Sequence, residues 1–307
     1  MSSAISIFDS KNKKSKYKHN VIYCGNCGEK NHIFKHCTQP IISLGVVLFK
    51  YNRTNNEIKY LLIRRKDSIG YVEFIRGKYV SSDIKYIKKI ISDMSQLELS
   101  KLLNNDFEKL WKDLWMDGNK NNNSFRRDFN KAIDKFNKIK GGYILNNTEI
   151  ILEKLILENS SQWEETEWGL PKGRRNIREN DIQAAEREFK EETSIDSSDY
   201  IIYKNNKSFE EEYIGSNNVK YKHIYYLAKY LGNKNITIDK NNLDQIKEIS
   251  DINFFTLLEC EQKIRPYYSE KINTLKQVEK YIRENSIYNI NSMLFQNKYN
   301  RCLSKSI

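Results

Sequence analysis

This 307-residue chain lacks long apolar runs and an even set of cysteines, and it has only three prolines. Its longest clean apolar run, IISLGVVLF at 41–49, falls far short of the roughly 20 residues a membrane-spanning helix needs. No apolar stretch precedes a small-residue cleavage site in MSSAISIFDSKNKKSK, so a signal-peptide layout is absent and no membrane partner is expected. Five cysteines cannot all pair, and three of them fall within fourteen residues. That points to metal ligation in a reducing compartment rather than a disulfide framework. Cys260 and Cys302 read as ordinary thiols.

The three prolines divide the chain. Pro40 separates a basic N-terminal segment from the first strand-like run. Pro171 lies in a loop before a glutamate-rich helix, and Pro266 precedes a C-terminal helical region. A formal net charge of +12 and a pI near 9.2 suggest a polyanionic partner. Part of the lysine excess accompanies Asn, Ile and Tyr, the residues of A/T-rich codons. Hydrophobic residues at 39% suit a folded protein with more than one structural unit.

Residues 41–65 read as two strands around the polar turn NRTNNE. FEKLWKDLW then places Phe107, Leu110, Trp111, Leu114 and Trp115 at helical spacing, and FRRDFNKAIDKFNK repeats the period with Phe125, Phe129, Ala132 and Phe136. Arg127, Lys131, Lys135 and Lys138 form a basic stripe beside that face. IILEKLIL at 150–157 predicts another helix, and strand-like runs return at 163–170, IIYK, YKHIYYLAKY and DINFF. No internal repeat is evident.

Residues 180–193 predict a helix with Ile182, Ala185 and Phe189 on its core stripe. Glu188, Glu191 and Glu192 stand at i, i+3 and i+4, where like charges repel. No lysine follows any of them by four residues, so a hard divalent cation, Mg²⁺ or Mn²⁺, is the expected neutraliser. The run from Gly173 through Glu179 to Arg187-Glu188-Phe189-Lys190-Glu191-Glu192-Thr193-Ser194-Ile195 resembles the Nudix box, G-x5-E-x7-R-E-U-x-E-E-x-G-U, at eight of nine specified positions. Trp168-Gly169-Leu170-Pro171-Lys172 precedes it as that family's strand and loop should.

The resemblance implies an α/β fold, the Nudix α/β/α sandwich, and hydrolysis of a phosphate anhydride. By matching positions, Glu188 and Glu192 would be the principal metal ligands, with Glu191 a further ligand or activator of water. Gly173 would bring its carbonyl to the metal, and Arg187 and Glu179 would pair structurally. Ser194 stands where the box closes with glycine. A left-handed serine there costs roughly 1 kcal/mol or less. Glu248, just before the last strand-like run, matches the setting in which Nudix decapping enzymes carry a metal ligand or general base. His223 reads as a strand residue rather than a catalyst.

CGNCGEKNHIFKHC adds Cys24, Cys27, His32 and Cys37 at C-x2-C-x4-H-x4-C spacing, similar to the zinc knuckle of retroviral nucleocapsid proteins. Three sulfurs and one imidazole suit structural Zn²⁺, because so short a loop has too little core to fold alone. Such knuckles bind single-stranded RNA or DNA, although Gly25 stands where an aromatic often does, and a protein partner stays open. Lys13, Lys14 and Lys16, with Lys11 and Lys18, would form a phosphate-binding arm.

A helical lobe spliced between the early strands and the box resembles the mRNA-decapping Nudix enzymes of large cytoplasmic DNA viruses. The implied units are a basic tail with knuckle (1–40), first strands (41–69), a helical RNA-binding insertion (70–160), the main Nudix part (161–262) and C-terminal helices (263–307). The implied substrate is capped mRNA, with Lys172 and Arg175 as phosphate contacts. Release of methylguanosine diphosphate would leave 5′-monophosphorylated RNA. The implied site of action is the host cytoplasm, with packaging in the virion a further option. Two alternatives remain from the sequence: hydrolysis of diphosphoinositol or dinucleoside polyphosphates, and RNA binding with weakened catalysis. Nothing in the pattern sets an oligomeric state.

Overall fold

This computed structural model describes residues 22–116, 123–159, 161–203, 208–215 and 217–289. Lys11, Lys13, Lys14, Lys16, Lys18 and Cys302 lie outside them. After one 3-10 turn at Phe34–His36 come strands β1 (Ile41–Asn52) and β2 (Glu57–Arg65). Helices α1 (Ile69–Ile75), α2 (Ile84–Ser92), α3 (Gln96–Asn104), α4 (Phe107–Trp115) and α5 (Asn123–Gly141) follow. Ser68, Asp83, Ser95 and Asp106 cap the first four of these, each accepting a hydrogen bond from the backbone N–H three residues on. A hairpin, β3 (Tyr143–Leu145) and β4 (Thr148–Ile150), leads to α6 (Leu152–Glu158).

The chain then returns through β5 (Trp168–Gly169) and β6 (Lys172–Gly173) to α7 (Asp181–Thr193). It continues with β7 (Tyr200–Ile202), β8 (Phe209–Ile214), β9 (Lys220–Tyr230), α8 (Leu243–Glu248), β10 (Ile249–Thr256), α9 (Leu257–Lys263) and α10 (Ser269–Glu284).

Apart from the separate β3–β4 hairpin, the described strands form one mixed sheet in the order β10-β2-β1-β9-β7, with β5 on β2, β6 on β1 and β8 on β9. β1 and β9 run parallel, registered from Ile41 opposite Tyr221 to Phe49 opposite Lys229. Residues 43–49 of β1 are buried without a break because both faces of the sheet are covered. Leu44, Val46 and Leu48 meet Ala184, Ala185 and Phe189 of α7 on one face. Val47 and Phe49 meet Leu275, Val278 and Ile282 of α10 on the other. This is the expected α/β/α sandwich. On α7, Ala184 takes the buried place and Ile182 is only half-buried.

A third core belongs to the helical lobe, where Phe74, Leu102, Phe107, Leu110, Ala132 and Phe136 are buried together. The lobe is clamped to the sandwich by Arg265, whose guanidinium donates to the Asp93 carbonyl at 2.6 Å and pairs with buried Glu167 at 3.3 Å. Two elements depart from the expectations. The hairpin turns on Asn146 and Asn147, both at positive φ (50° and 61°), within a lobe read as helical. Strand β8 passes unnoticed in sequence because its inward residues include Glu211. No helix among the described residues is long and apolar enough to cross a membrane.

Candidate active site

Arg187 organises the glutamate helix. Its guanidinium engages all five N–H donors: two to Glu179 (2.7 and 3.0 Å), one each to Glu188 (2.8 Å) and Glu191 (2.9 Å), and one to the Arg174 carbonyl (2.8 Å). The expected Arg187–Glu179 pair is therefore present and bidentate. Arg187 holds the Glu179 carboxyl at about 2, well below the usual range. No lysine follows the glutamates by four residues, yet ion pairing is present all the same. An arginine one residue before Glu188 and four before Glu191 reaches both.

Glu192 accepts the Lys172 backbone N–H at 2.7 Å. Burial pushes its carboxyl up to about 8, and burial also raises Glu188. Neighbouring carboxylates add to this, Glu191 and Glu248 for Glu188 and Glu248 and Glu188 for Glu192, against the lowering by Arg187 and Lys172 respectively. Gly173 is pressed against Glu188: a Cβ there would stand 2.0 Å from a Glu188 carboxylate oxygen. Only a glycine lets the β6 backbone and this carboxylate meet. Half-buried, mutually repelling carboxylates beside a backbone carbonyl are a hard-oxygen set that could hold Mg²⁺ or Mn²⁺.

Helix α8 closes the far end of α7. Asn242 donates to the Glu191 carbonyl (3.0 Å) and the Ser194 hydroxyl (2.8 Å), and Gln245 donates to the Glu192 carbonyl (3.0 Å). Ser194 adopts the left-handed conformation, φ 59°, expected of the box glycine. Its hydroxyl donates to Gln245 Oε1 at 3.1 Å. The same helix ends on exposed Glu248, which so comes within electrostatic reach of Glu188 and Glu192.

A cavity of about 780 Å³ opens at β6. Lys172, Gly173, Arg174 and Arg65 line one part, and Tyr213, Tyr221, His223, Tyr267 and Tyr268 another. Burial lowers the Lys172 pKa. Arg175 does not share this cavity. Its guanidinium pairs with Asp181, donates to the Glu179 carbonyl at 3.0 Å and lies against Gly28. A smaller cavity of about 270 Å³ lies beside Glu248, lined by Arg65, Arg76, Trp115 and Lys247 among others.

The ligand atoms of Cys24, Cys27, His32 and Cys37 lie within 4.8 Å of one another, so the set fits a tetrahedral Zn²⁺. Sequence reasoning missed Asn26, which is buried between two elements. Its side-chain amide donates to Cys37 Sγ (3.2 Å) and the Pro40 carbonyl (2.8 Å), and its oxygen accepts the Ile42 N–H of β1 (2.9 Å). Gly28, at φ +78°, leaves room for Arg175, and the Arg174 guanidinium lies 5.7 Å from the Phe34 ring centroid. The knuckle is thus seated on the box loop.

The basic stripe of α5 is not uniform. Arg127 and Lys131 are exposed, and Lys138 lies 4.8 Å from the Tyr143 ring centroid. Lys135 is half-buried and donates to the carbonyls of Gly77 (2.7 Å) and Tyr79 (2.6 Å), so it serves the fold of the lobe.

The NUDIX domain family matches residues 142–276. The chain is 30% identical to a "Putative mRNA-decapping protein" of Acanthamoeba polyphaga mimivirus, across 88% of this chain and 96% of the relative. It is 29% identical to mRNA-decapping protein g5R of African swine fever virus, across 69% of this chain and 83% of that one. Among solved structures, a C. elegans Ap4A hydrolase matches with TM-score 0.38 and 12% identity, over 80% of this chain and 99% of that one.

Proposed function

Because this chain belongs to the Nudix family of viral mRNA-decapping proteins, we propose that its glutamate cluster and the adjoining cavity hydrolyse the cap bridge of mRNA. The carrying observation is the packing of Glu188 on Gly173 and of Glu192 on the Lys172 amide, the two β6 residues that also line the large cavity. The products are methylguanosine diphosphate and RNA with a 5′-monophosphate. A water oxygen bonds to phosphorus, and the anhydride oxygen leaves with the other fragment.

Glu188, Glu192 and the Gly173 carbonyl would hold Mg²⁺ or Mn²⁺, with Glu191 as a further ligand. A divalent cation there would supply charge neutralisation for the bridge and a lowered pKa for the attacking water. Glu248 takes the proton from the attacking water, and Lys172 contacts a bridge phosphate from the cavity side. Arg187 fixes the carboxylate orientations through its five hydrogen bonds. Cys24, Cys27, His32 and Cys37 would hold a structural Zn²⁺, which would fix the box loop from the N-terminal side. Exposed Arg127 and Lys131, together with the N-terminal lysines, contact RNA phosphates.

The cavity lining carries four cations (Arg65, Lys89, Lys172, Arg174) and four acids (Glu73, Asp93, Glu167, Glu270). That balance suits a nucleoside better than the dense negative charge of an inositol polyphosphate. Side-by-side turnover of cap-labelled RNA, diadenosine tetraphosphate and a diphosphoinositol polyphosphate tests the reading. Capped RNA should have the highest kcat/KM, and preference for either small substrate would overturn it.

A further inference from the structure

His223 on β9 is 3% exposed and lines the large cavity, yet the hydrolytic machinery makes no use of it. Its Nδ1 lies 2.5 Å from Glu211 Oε1, which also accepts the Tyr225 hydroxyl at 3.0 Å. Burial alone would raise Glu211, but His223, Lys271 and Tyr225 hold its carboxyl below the usual value. An ionised carboxylate only accepts, so the hydrogen of this pair sits on Nδ1. Burial, with Lys172 nearby, pushes the imidazole down to about 4, and the ring is neutral near pH 7. Nε2 of a neutral ring protonated on Nδ1 is an acceptor, and it takes no partner among the described residues.

An acceptor fixed in place at the wall of a cavity selects for a donor. Bridge phosphates carry no donors at neutral pH, so they are not its target. A nucleoside carries two kinds: ring and amino N–H groups on the base, and ribose hydroxyls. The wall beside it is aromatic, with Tyr213 and Tyr221 stacked on each other at 5.4 Å and 18°, and an aromatic face is a surface on which a base can stack.

The geometry points to His223, oriented by Glu211, as a specificity-determining contact that accepts a hydrogen bond from the cap nucleoside. The inference rests on the decapping reading and assigns the cap nucleoside, rather than the RNA body, to the large cavity. Glu211 acts through His223 and is a positioning residue.

The test compares kcat/KM on three RNAs: 7-methylguanosine-capped, 7-methylinosine-capped (no amino group) and 7-methyl-3′-deoxyguanosine-capped. Wild type, His223→Ala and His223→Gln are measured, with thermal melting as the check on folding. Binding of the matching cap dinucleotides to Glu192→Gln and Glu192→Gln/His223→Ala proteins is read in parallel. Wild type should lose about tenfold with the analogue that lacks the contacted donor, the scale of one neutral hydrogen bond. His223→Ala should erase that ratio, and His223→Gln, which retains an acceptor, should restore part of it. The inosine arm assigns the donor to the base and the deoxy arm to the ribose. Equal losses on all three RNAs in His223→Ala would make the residue merely structural and overturn the proposal. Wild type that cleaves none of the RNAs would sink the decapping reading instead. The binding ratios would still decide the His223 contact, and the absence of dinucleotide binding would overturn it.

Discussion

Replacing Gly173 by alanine perturbs the cluster at one point with little else disturbed. Gly173 is not in the left-handed region, so an alanine there carries no backbone strain. The new Cβ would stand 2.0 Å from one Glu188 oxygen and 2.1 Å from its Cδ. Ordinary contact needs about 3.5 Å, so the carboxylate must retreat by roughly 1.5 Å. The Arg187–Glu188 bond at 2.8 Å resists that movement. Overpacking of this kind costs about 1–3 kcal/mol of stability. Misplacing a reacting or metal-holding group by about 1 Å costs on the order of 10²-fold in rate. Gly173→Ala should therefore lower kcat/KM on cap-labelled RNA about 100-fold and raise the Mn²⁺ concentration for half-maximal rate, with only a modest change in melting temperature. Glu188→Asp in the Gly173→Ala background shortens the side chain by one methylene and should cost less than it does in wild type. Activity of Gly173→Ala within threefold of wild type would refute the reasoning. So would equal losses from Glu188→Asp in both backgrounds.

Three further outcomes are expected. Ser194→Gly relieves a left-handed serine but loses the bonds to Gln245 and from Asn242. Stability should stay within about 1 kcal/mol and kcat/KM within threefold, and a tenfold gain would show that serine weakens catalysis. Asn26→Ala removes the Cys37 contact and strands the Ile42 N–H, at about 1–3 kcal/mol. Zinc transfer to a chromophoric chelator should accelerate about tenfold, and an unchanged rate would detach Asn26 from the metal site. Glu192 has its folded pKa raised to about 8 from an ordinary 4.5. Between those values the folded, metal-free protein keeps a proton that the unfolded chain releases, so stability falls as pH rises across that window. Mn²⁺ should flatten the fall in urea-unfolding curves, and a metal-free stability that rises with pH there would contradict the assignment.

The box and the knuckle were legible because their chemistry fixes residue types at fixed spacings, and β1 because both its faces are covered. Strand β8 was not, since a buried Glu211 reads as surface until its partners His223, Tyr225 and Lys271 arrive from elsewhere in the chain. The Asn146-Asn147 turn carried a readable hairpin signal that the surrounding helical periodicity overrode. Spacing alone also cannot tell which way a cation turns. Arg175 faces the knuckle and Lys135 the carbonyls of Gly77 and Tyr79, because acceptors distant in sequence are brought to them by the fold.

The most direct test of the central claim uses RNA labelled in the cap phosphates, incubated with Mn²⁺ or Mg²⁺ and resolved by chromatography. The full-length wild type should release labelled methylguanosine diphosphate, and the Glu191→Gln, Glu192→Gln protein should release none. Undiminished release by the double variant would show that the glutamate helix is not the catalytic centre, and intact cap from both proteins would contradict decapping itself.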